Sequence, residues 1–172
     1  MQKERTKKLT IHIRTNQKNK VLSGVILTQN KDIPDFVVKL VRKHGTNDPE
    51  EMADYLNVTI MNLPMGNNIA GYYKYIKRRK YVFINSNIRD DAYRRVILAH
   101  ELGHSIMHRT QNCTFMNGYT LLLTSKIEKQ ANLFAAYFLI DDFLLREYRD
   151  FTREQFCDCT GYPEELIRLR LK

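Results

Sequence analysis

Hydrophobic positions follow two periods along the chain, one helical and one strand-like. Apolar residues at helical spacing, with capping residues before them, predict six helices: 35–44, 48–57, 90–108, 125–138, 152–159 and 164–171. Between the second and third helices, segments 58–65, 69–77 and 80–85 are rich in Ile, Val, Tyr and Phe, and turn residues follow the first of them. They predict a small antiparallel sheet. Helices, a sheet and more helices in this order indicate an α+β fold.

The N-terminal residues differ from the rest in charge. Residues 1–20 hold seven basic side chains and one acidic side chain, whereas the other 152 residues carry a net charge of only +3. Two short strands are predicted, at residues 9–13 and 21–27. We expect a basic arm over residues 1–30 and one domain over residues 31–172. Such an arm can bind phosphates, but short basic termini are commonly only solvated, and that is the expectation here.

Length and composition exclude several classes of protein. A chain of 172 residues with 43% hydrophobic and 27% charged side chains is typical of a globular domain that folds without disulfides or a structural metal. Three cysteines without a regular framework argue against a secreted disulfide-rich protein. No apolar run is long enough for a membrane helix or a signal peptide. We therefore expect a soluble cytoplasmic protein with no membrane contact.

The strongest chemical motif is His100-Glu101-Leu102-Gly103-His104, which lies inside a predicted helix. Residues four apart in a helix lie about 40° apart around its axis and about 6 Å along it, so both imidazoles can bind one metal ion. Glu101 lies about 60° around the helix from His104, beside the ion. There it can take a proton from a metal-bound water.

A catalytic zinc site usually has three protein ligands, so a third must come from elsewhere. His108 lies about 12 Å along the helix from His100, too far to share one ion with it. Metzincins would place glycine and histidine at positions 107 and 110, where this chain has Met107 and Thr110. The sequence therefore excludes that class.

Glu128 is the candidate third ligand, because 24 residues after His104 suffice to bring a second helix across the first. Asn132 follows one turn later, where its oxygen can accept from the Nδ1–H of a ligand histidine. A competing interpretation is equally good on local sequence. Ser125 to Glu128 matches the S-x-x-E capping box, in which Glu128 would only cap its own helix.

The HExxH motif, followed by the segment E-x-x-A-N-x-F-A at residues 128–135, resembles the two signature helices of the ImmA/IrrE family of metallopeptidases. The similarity covers residues 36–140, and the tail 151–172 also resembles such proteins. The resemblance implies a zincin-like fold and one Zn²⁺ per chain, held by His100, His104 and Glu128 in a gluzincin-like arrangement. Glu101 would be the general base.

The same resemblance implies the substrate. Proteins of this kind act on helix-turn-helix (Xre-like) repressors of prophages and other mobile genetic elements and release transcription. We therefore expect a site-specific endopeptidase that cleaves such a repressor.

Several accessory roles stay open on sequence grounds. A donor to the oxyanion is expected, with Tyr119, Tyr137 and His108 as candidates. Residues 81–85 are either a strand edge that pairs with an extended substrate or an ordinary internal strand. The long connection 110–124 is expected to form a rim or lid. Its Cys113 is interpreted as an incidental thiol, and the spacing of Cys157 and Cys159 argues against a further metal site.

Two other functions compete with proteolysis. One is a non-proteolytic, zinc-containing regulatory or antitoxin-paired binding module that acts by contact with a repressor. The other is a DNA-binding regulator that uses the basic arm and the C-terminal helices, which the small net charge of the remaining chain disfavours.

Overall fold

The computed structural model describes residues 30–110, 113–116 and 125–172. The predicted strands at 9–13 and 21–27 lie outside these residues. After a 3₁₀ turn at Asn30–Asp32, the described helices are α1 (Ile33–His44), α2 (Pro49–Tyr55), α3 (Asp91–Met107), α4 (Lys126–Leu139), α5 (Asp142–Glu147), α6 (Arg153–Thr160) and α7 (Glu164–Arg170). The strands are β1 (Val58–Leu63), β2 (Ile69–Ile76), β3 (Arg79–Asn85) and β4 (Cys113–Met116). The α+β class is confirmed.

The sheet has the strand order β1-β3-β2-β4, and its pairing corrects one expectation. Strand β3 pairs antiparallel with β2 but parallel with β1, so the sheet is mixed and not antiparallel throughout. The chain reverses direction twice between these strands, once between β1 and β2 and again at Lys77 and Arg78, both of which have positive φ angles. This tight hairpin returns β3 into the space between β1 and β2, where it runs in the same direction as β1.

Residues 81–85 belong to β3, and of the two alternatives left open for them, the strand edge is wrong. Strand β3 lies between two neighbours, whereas the two ends of the strand order are β1 and β4. Strand β4 was not predicted, and it lies inside the connection 110–124, antiparallel to β2. The interpretation of 81–85 as an internal strand is the correct one.

One face of the sheet packs against α3. The register places Tyr73 opposite Val82, and both are fully buried. Gly71 lies on the same face, where a Cβ atom would come within 2.7 Å of the Ile97 side chain of α3 and 2.8 Å of the Phe83 carbonyl oxygen. Only glycine allows α3 to approach the sheet this closely.

Side-chain caps fix where the helices begin. Asp48 accepts from the backbone N–H groups of Glu50 and Glu51 and begins α2, as predicted. Asp90 is the cap of α3, and it accepts from the Tyr93 N–H. The short helix α5 was not predicted. In the described part of the chain, no helix has the length and apolar character needed to cross a membrane.

Candidate metal centre

The HExxH motif lies in the buried half of α3. Residues 96–105 of this helix are all buried, between the sheet on one side and α4 on the other. His100, Glu101 and His104 each have no exposed surface. Three ionisable side chains in a row of buried positions have a high desolvation cost, which is common at functional sites and rare elsewhere.

Helix α4 brings Glu128 to the same place. Ser125 is the N-cap of α4 and accepts from the backbone N–H of Glu128, so half of the predicted capping box forms. The carboxylate of Glu128, however, lies beside both histidines. The two interpretations of this segment are therefore compatible, because Ser125 begins the helix while the Glu128 side chain faces α3.

The separations between the three side chains fit a single ion. The Nε2 atoms of His100 and His104 are 2.9 Å apart. Oε2 of Glu128 lies 3.2 Å from Nε2 of His100, and Oε1 lies 3.5 Å from Nε2 of His104. Ligands at about 2.0–2.1 Å from a tetrahedral ion would be separated by about 3.3 Å. The donor set and its spacing thus fit a four-coordinate metal with one open position.

The protonation states of the cluster also suit a cation. Burial lowers the pKa of His104 to about 4, so its imidazole is neutral at pH 7. Burial alone would raise the pKa of Glu128, but hydrogen bonding to His100 and His104 outweighs it and lowers that pKa to about 2. Neutral imidazole and ionised carboxylate are the forms that bind a metal.

Close contact between α3 and α4 sets the distance between these groups. A Cβ atom on Gly103 would lie 3.2 Å from the Cα of Ala131 and 3.2 Å from the Phe134 side chain. Glycine between the two histidines therefore lets the backbone of α4 approach. The sequence reasoning did not assign this role to Gly103, although a small residue on each of two buried helices is a signal of close crossing.

Of the candidate oxyanion donors, His108 lies near the three-residue cluster and Tyr137 does not. The His108 ring centroid lies 5.6 Å from that of His104, at the rim of the cluster, and His108 hydrogen-bonds to the backbone of Ile127. Burial lowers the pKa of His108 to about 4. Tyr137 is not brought to the cluster, since it lies nine residues beyond Glu128 on α4 and packs against the Arg170 guanidinium.

Two more of the predicted residues remain untested. Asn132 is buried one turn after Glu128, as expected, and its role as an acceptor from a ligand histidine stays a prediction. Tyr119 lies outside the described residues, so the oxyanion donor is unassigned.

Comparison with known proteins agrees with this arrangement. The model of the Peptidase M78 family, described as the IrrE N-terminal-like domain, matches residues 53–159. The chain is 38% identical over 136 residues to "Uncharacterized immunity region protein 2" of Bacillus phage phi105, covering 78% of this chain and 85% of the relative. It is 28% identical over 153 residues to "Metallopeptidase ImmA" of Bacillus subtilis (strain 168), covering 86% and 88% of the two chains. The chain therefore belongs to the ImmA/IrrE family of metallopeptidases.

Proposed function

We propose that the protein is a zinc-dependent, site-specific endopeptidase that cleaves and inactivates a helix-turn-helix (Xre-like) repressor of a prophage or other mobile element. The observation that supports this most strongly is the convergence of His100, His104 and Glu128, whose donor atoms lie within 4.8 Å of one another. The fully buried Glu101 stands next to His100 in the same helix.

Each residue has a distinct role in this proposal. His100, His104 and Glu128 hold the zinc, which when bound polarises a carbonyl group and makes water acidic enough to attack near neutral pH. Glu101 takes the proton of that water and passes it to the leaving amine. Its buried position keeps bulk water away from the carboxylate and strengthens its interactions at the site.

Strand β4 is the proposed position for the substrate backbone. Among the described strands it ends the strand order, and it contacts α3, the helix that carries the HExxH motif. An extended segment of the repressor that pairs with β4 would place a peptide bond near the cluster through main-chain hydrogen bonds. This role replaces the one considered for residues 81–85.

The proposed substrate rests on the relatives as well as on the site. One relative is named for a phage immunity region and another for metallopeptidase activity. These two names together suggest a protease that acts on a regulatory protein of a phage immunity region. We therefore propose a cytoplasmic protein substrate encoded near this chain.

The test combines metal content with cleavage. Mass spectrometry should find about one zinc per chain in the wild type and in Glu101→Gln, and much less in Glu128→Ala. The wild type should cleave the neighbouring repressor, whereas Glu101→Gln should lose at least about a hundredfold in rate. Full zinc retention in Glu128→Ala would exclude Glu128 as a zinc ligand.

A reporter gene under the repressor distinguishes the non-proteolytic alternative. If Glu101→Gln relieves repression as well as the wild type does, the protein acts by binding the repressor without cleaving it, and the protease proposal fails. Loss of both cleavage and derepression in Glu101→Gln, with zinc retained, supports it.

A further inference from the structure

The sheet has a second face, opposite α3, whose residues the proposed protease site does not use. Cross-strand register defines it, because residues directly opposite each other in an antiparallel pair share a face. Tyr72 pairs with Phe83, Lys74 with Tyr81, and Ile76 with Arg79. We call these six residues the outer face. All six are exposed or half-buried, so none of the described helices covers it.

Three aromatic rings form the centre of the outer face. The Tyr72 and Phe83 rings stack with centroids 4.6 Å apart, and the Tyr81 and Phe83 centroids are 6.2 Å apart at an interplanar angle of 28°. The Lys74 ammonium lies 5.4 Å from the centroid of the Tyr72 ring. Half-exposed, nearly parallel rings beside a cation leave flat apolar surface in contact with water, which is costly unless a partner covers it.

The two charged side chains of the outer face, Lys74 and Arg79, are both basic. Between Asp54 and Asp90 the sequence has no acidic residue, while Lys74, Arg89 and the four consecutive residues 77–80 are basic. This segment therefore carries +6, whereas the rest of the chain after residue 20 carries −3. Part of this charge lies elsewhere, because Lys80 pairs with Tyr75 on the face toward α3 and Asp54 lines a surface pocket together with Arg79. Lys74, Arg79 and the hairpin residues Lys77 and Arg78 are the cations available to the outer face.

We propose that the outer face binds single-stranded nucleic acid. Bases stack on rings such as Tyr72, Tyr81 and Phe83, and phosphates pair with Lys74, Arg79 and the hairpin that joins β2 to β3. Stacking contributes little base specificity, since a ring stacks on any base.

Charge complementarity decides between this occupant and others. A second copy that docked through the same face would bring Lys74 and Arg79 against the same two cations, and the basic residues 1–20 would bring the same sign of charge. An acidic peptide would satisfy the cations but would leave the stacked rings without a planar partner. Single-stranded nucleic acid supplies both the anions and the planar groups.

The experiment measures fluorescence anisotropy of a labelled twelve-nucleotide single-stranded DNA with the full-length protein at low salt. The double variant Lys74→Glu with Arg79→Glu should weaken DNA binding at least about tenfold. It should also make the plot of log K against log salt less steep, by about 0.7 in slope for each phosphate that no longer pairs with a cation. Tyr72→Leu with Phe83→Leu, which keeps apolar bulk in the strands, should weaken binding severalfold without changing that slope.

Two further double variants, with the same change in net charge at other positions, serve as controls. Lys39→Glu with Lys43→Glu changes the net charge by the same amount on exposed positions of α1 and should leave affinity within about twofold. An equal decrease in affinity in this control would overturn the proposal. A decrease in affinity only in full-length Lys7→Glu with Lys8→Glu would also overturn it and would assign binding to the basic arm. Equal affinity for a labelled twelve-residue polyglutamate would also overturn it. Repressor cleavage by the outer-face variants tests the protease proposal separately.

Discussion

Gly103 lies between His100 and His104 in sequence and at the closest approach of α3 to α4. The atoms that crowd it are the Ala131 backbone and the Phe134 side chain, both from α4. These two residues belong to the E-x-x-A-N-x-F-A segment on which the family resemblance rests. The segment is thus distinctive for a packing reason as well as for Glu128.

Gly103→Ala should push α4 away from α3. Alanine favours the helix by about 1 kcal/mol, but overpacking against a backbone atom costs about 1–3 kcal/mol, so we expect net destabilisation of about 1 kcal/mol. Zinc affinity should fall as well, since Glu128 moves with α4. Urea denaturation and zinc titration measure the two effects.

Gly66→Ala is the matched control for this substitution, because no atom lies within 4 Å of its added Cβ. It should leave stability within about 0.5 kcal/mol and zinc affinity unchanged. A Gly103→Ala protein that binds zinc as the wild type does would contradict the crossing argument.

Buried histidines give the metal-free protein a defined pH dependence. Burial lowers the pKa of both His104 and His108 from an ordinary value of 6.5 to about 4. Between these values the unfolded chain binds protons that the folded chain does not, so stability falls as the pH drops from about 6.5 to about 4. Urea unfolding of chelator-treated protein at pH 7, 6 and 5 measures this decrease. His108→Gln should reduce the slope, and an unchanged slope would exclude His108 as a contributor.

At the scale of elements, sequence reasoning succeeded where the signal is local. Helix α3 and its motif can be predicted from the sequence because His100, Glu101 and His104 lie within five residues, and their spacing alone gives their relative positions on a helix. The role of Glu128 was ambiguous, because the sequence pattern of a capping box does not distinguish a capping glutamate from a metal ligand until the position of α4 against α3 is known. The resemblance decided between them, and the structure shows that Ser125 caps the helix while the Glu128 carboxylate lies beside the histidines.

The errors at this scale come from non-local pairing and short elements. The parallel pairing of β1 with β3 depends on where the hairpin folds back, which no local pattern encodes. Strand β4 has four residues and α5 has six, too few for a periodic signal. Because β4 was not predicted, residues 81–85 were considered as a possible strand edge, although they lie in the internal strand β3.

Asp48 makes one interaction with α2 and another with α3, and two different substitutions of it should separate the contributions of these interactions to stability. Its Oδ1 caps α2, while its Oδ2 pairs with Arg95 of α3. Asp48→Ala removes both interactions and should cost about 1–2 kcal/mol in the free energy of unfolding. Asp48→Asn keeps a capping oxygen and loses only a partly exposed ion pair, so about 0.5 kcal/mol is expected. Urea denaturation at pH 7 compares them, and equal losses would mean that the cap contributes little.

At the scale of the whole molecule, the apolar core does not depend on the metal cluster. Fully buried apolar residues come from the sheet and from several helices, among them Ile33 of α1, Tyr73 of β2, Phe138 of α4 and Leu166 of α7. A chain of this length buries enough surface to fold without a metal. The cluster lies where α3 and α4 pack together, and these apolar residues belong to elements on other sides of it as well.

If the site holds zinc as proposed, its removal by a chelator should therefore lower the melting temperature without unfolding the protein. Zinc at a hundredfold above its dissociation constant stabilises by about 2.7 kcal/mol, which is about 5–10 °C for a domain of this size. Far-ultraviolet circular dichroism should show helix content retained at 25 °C after chelation. Glu128→Ala should lose most of the zinc-dependent increase, because one of the three ligands is gone. Collapse of the helical signal on chelation would instead make the metal a structural requirement, and the apolar core would then be insufficient alone.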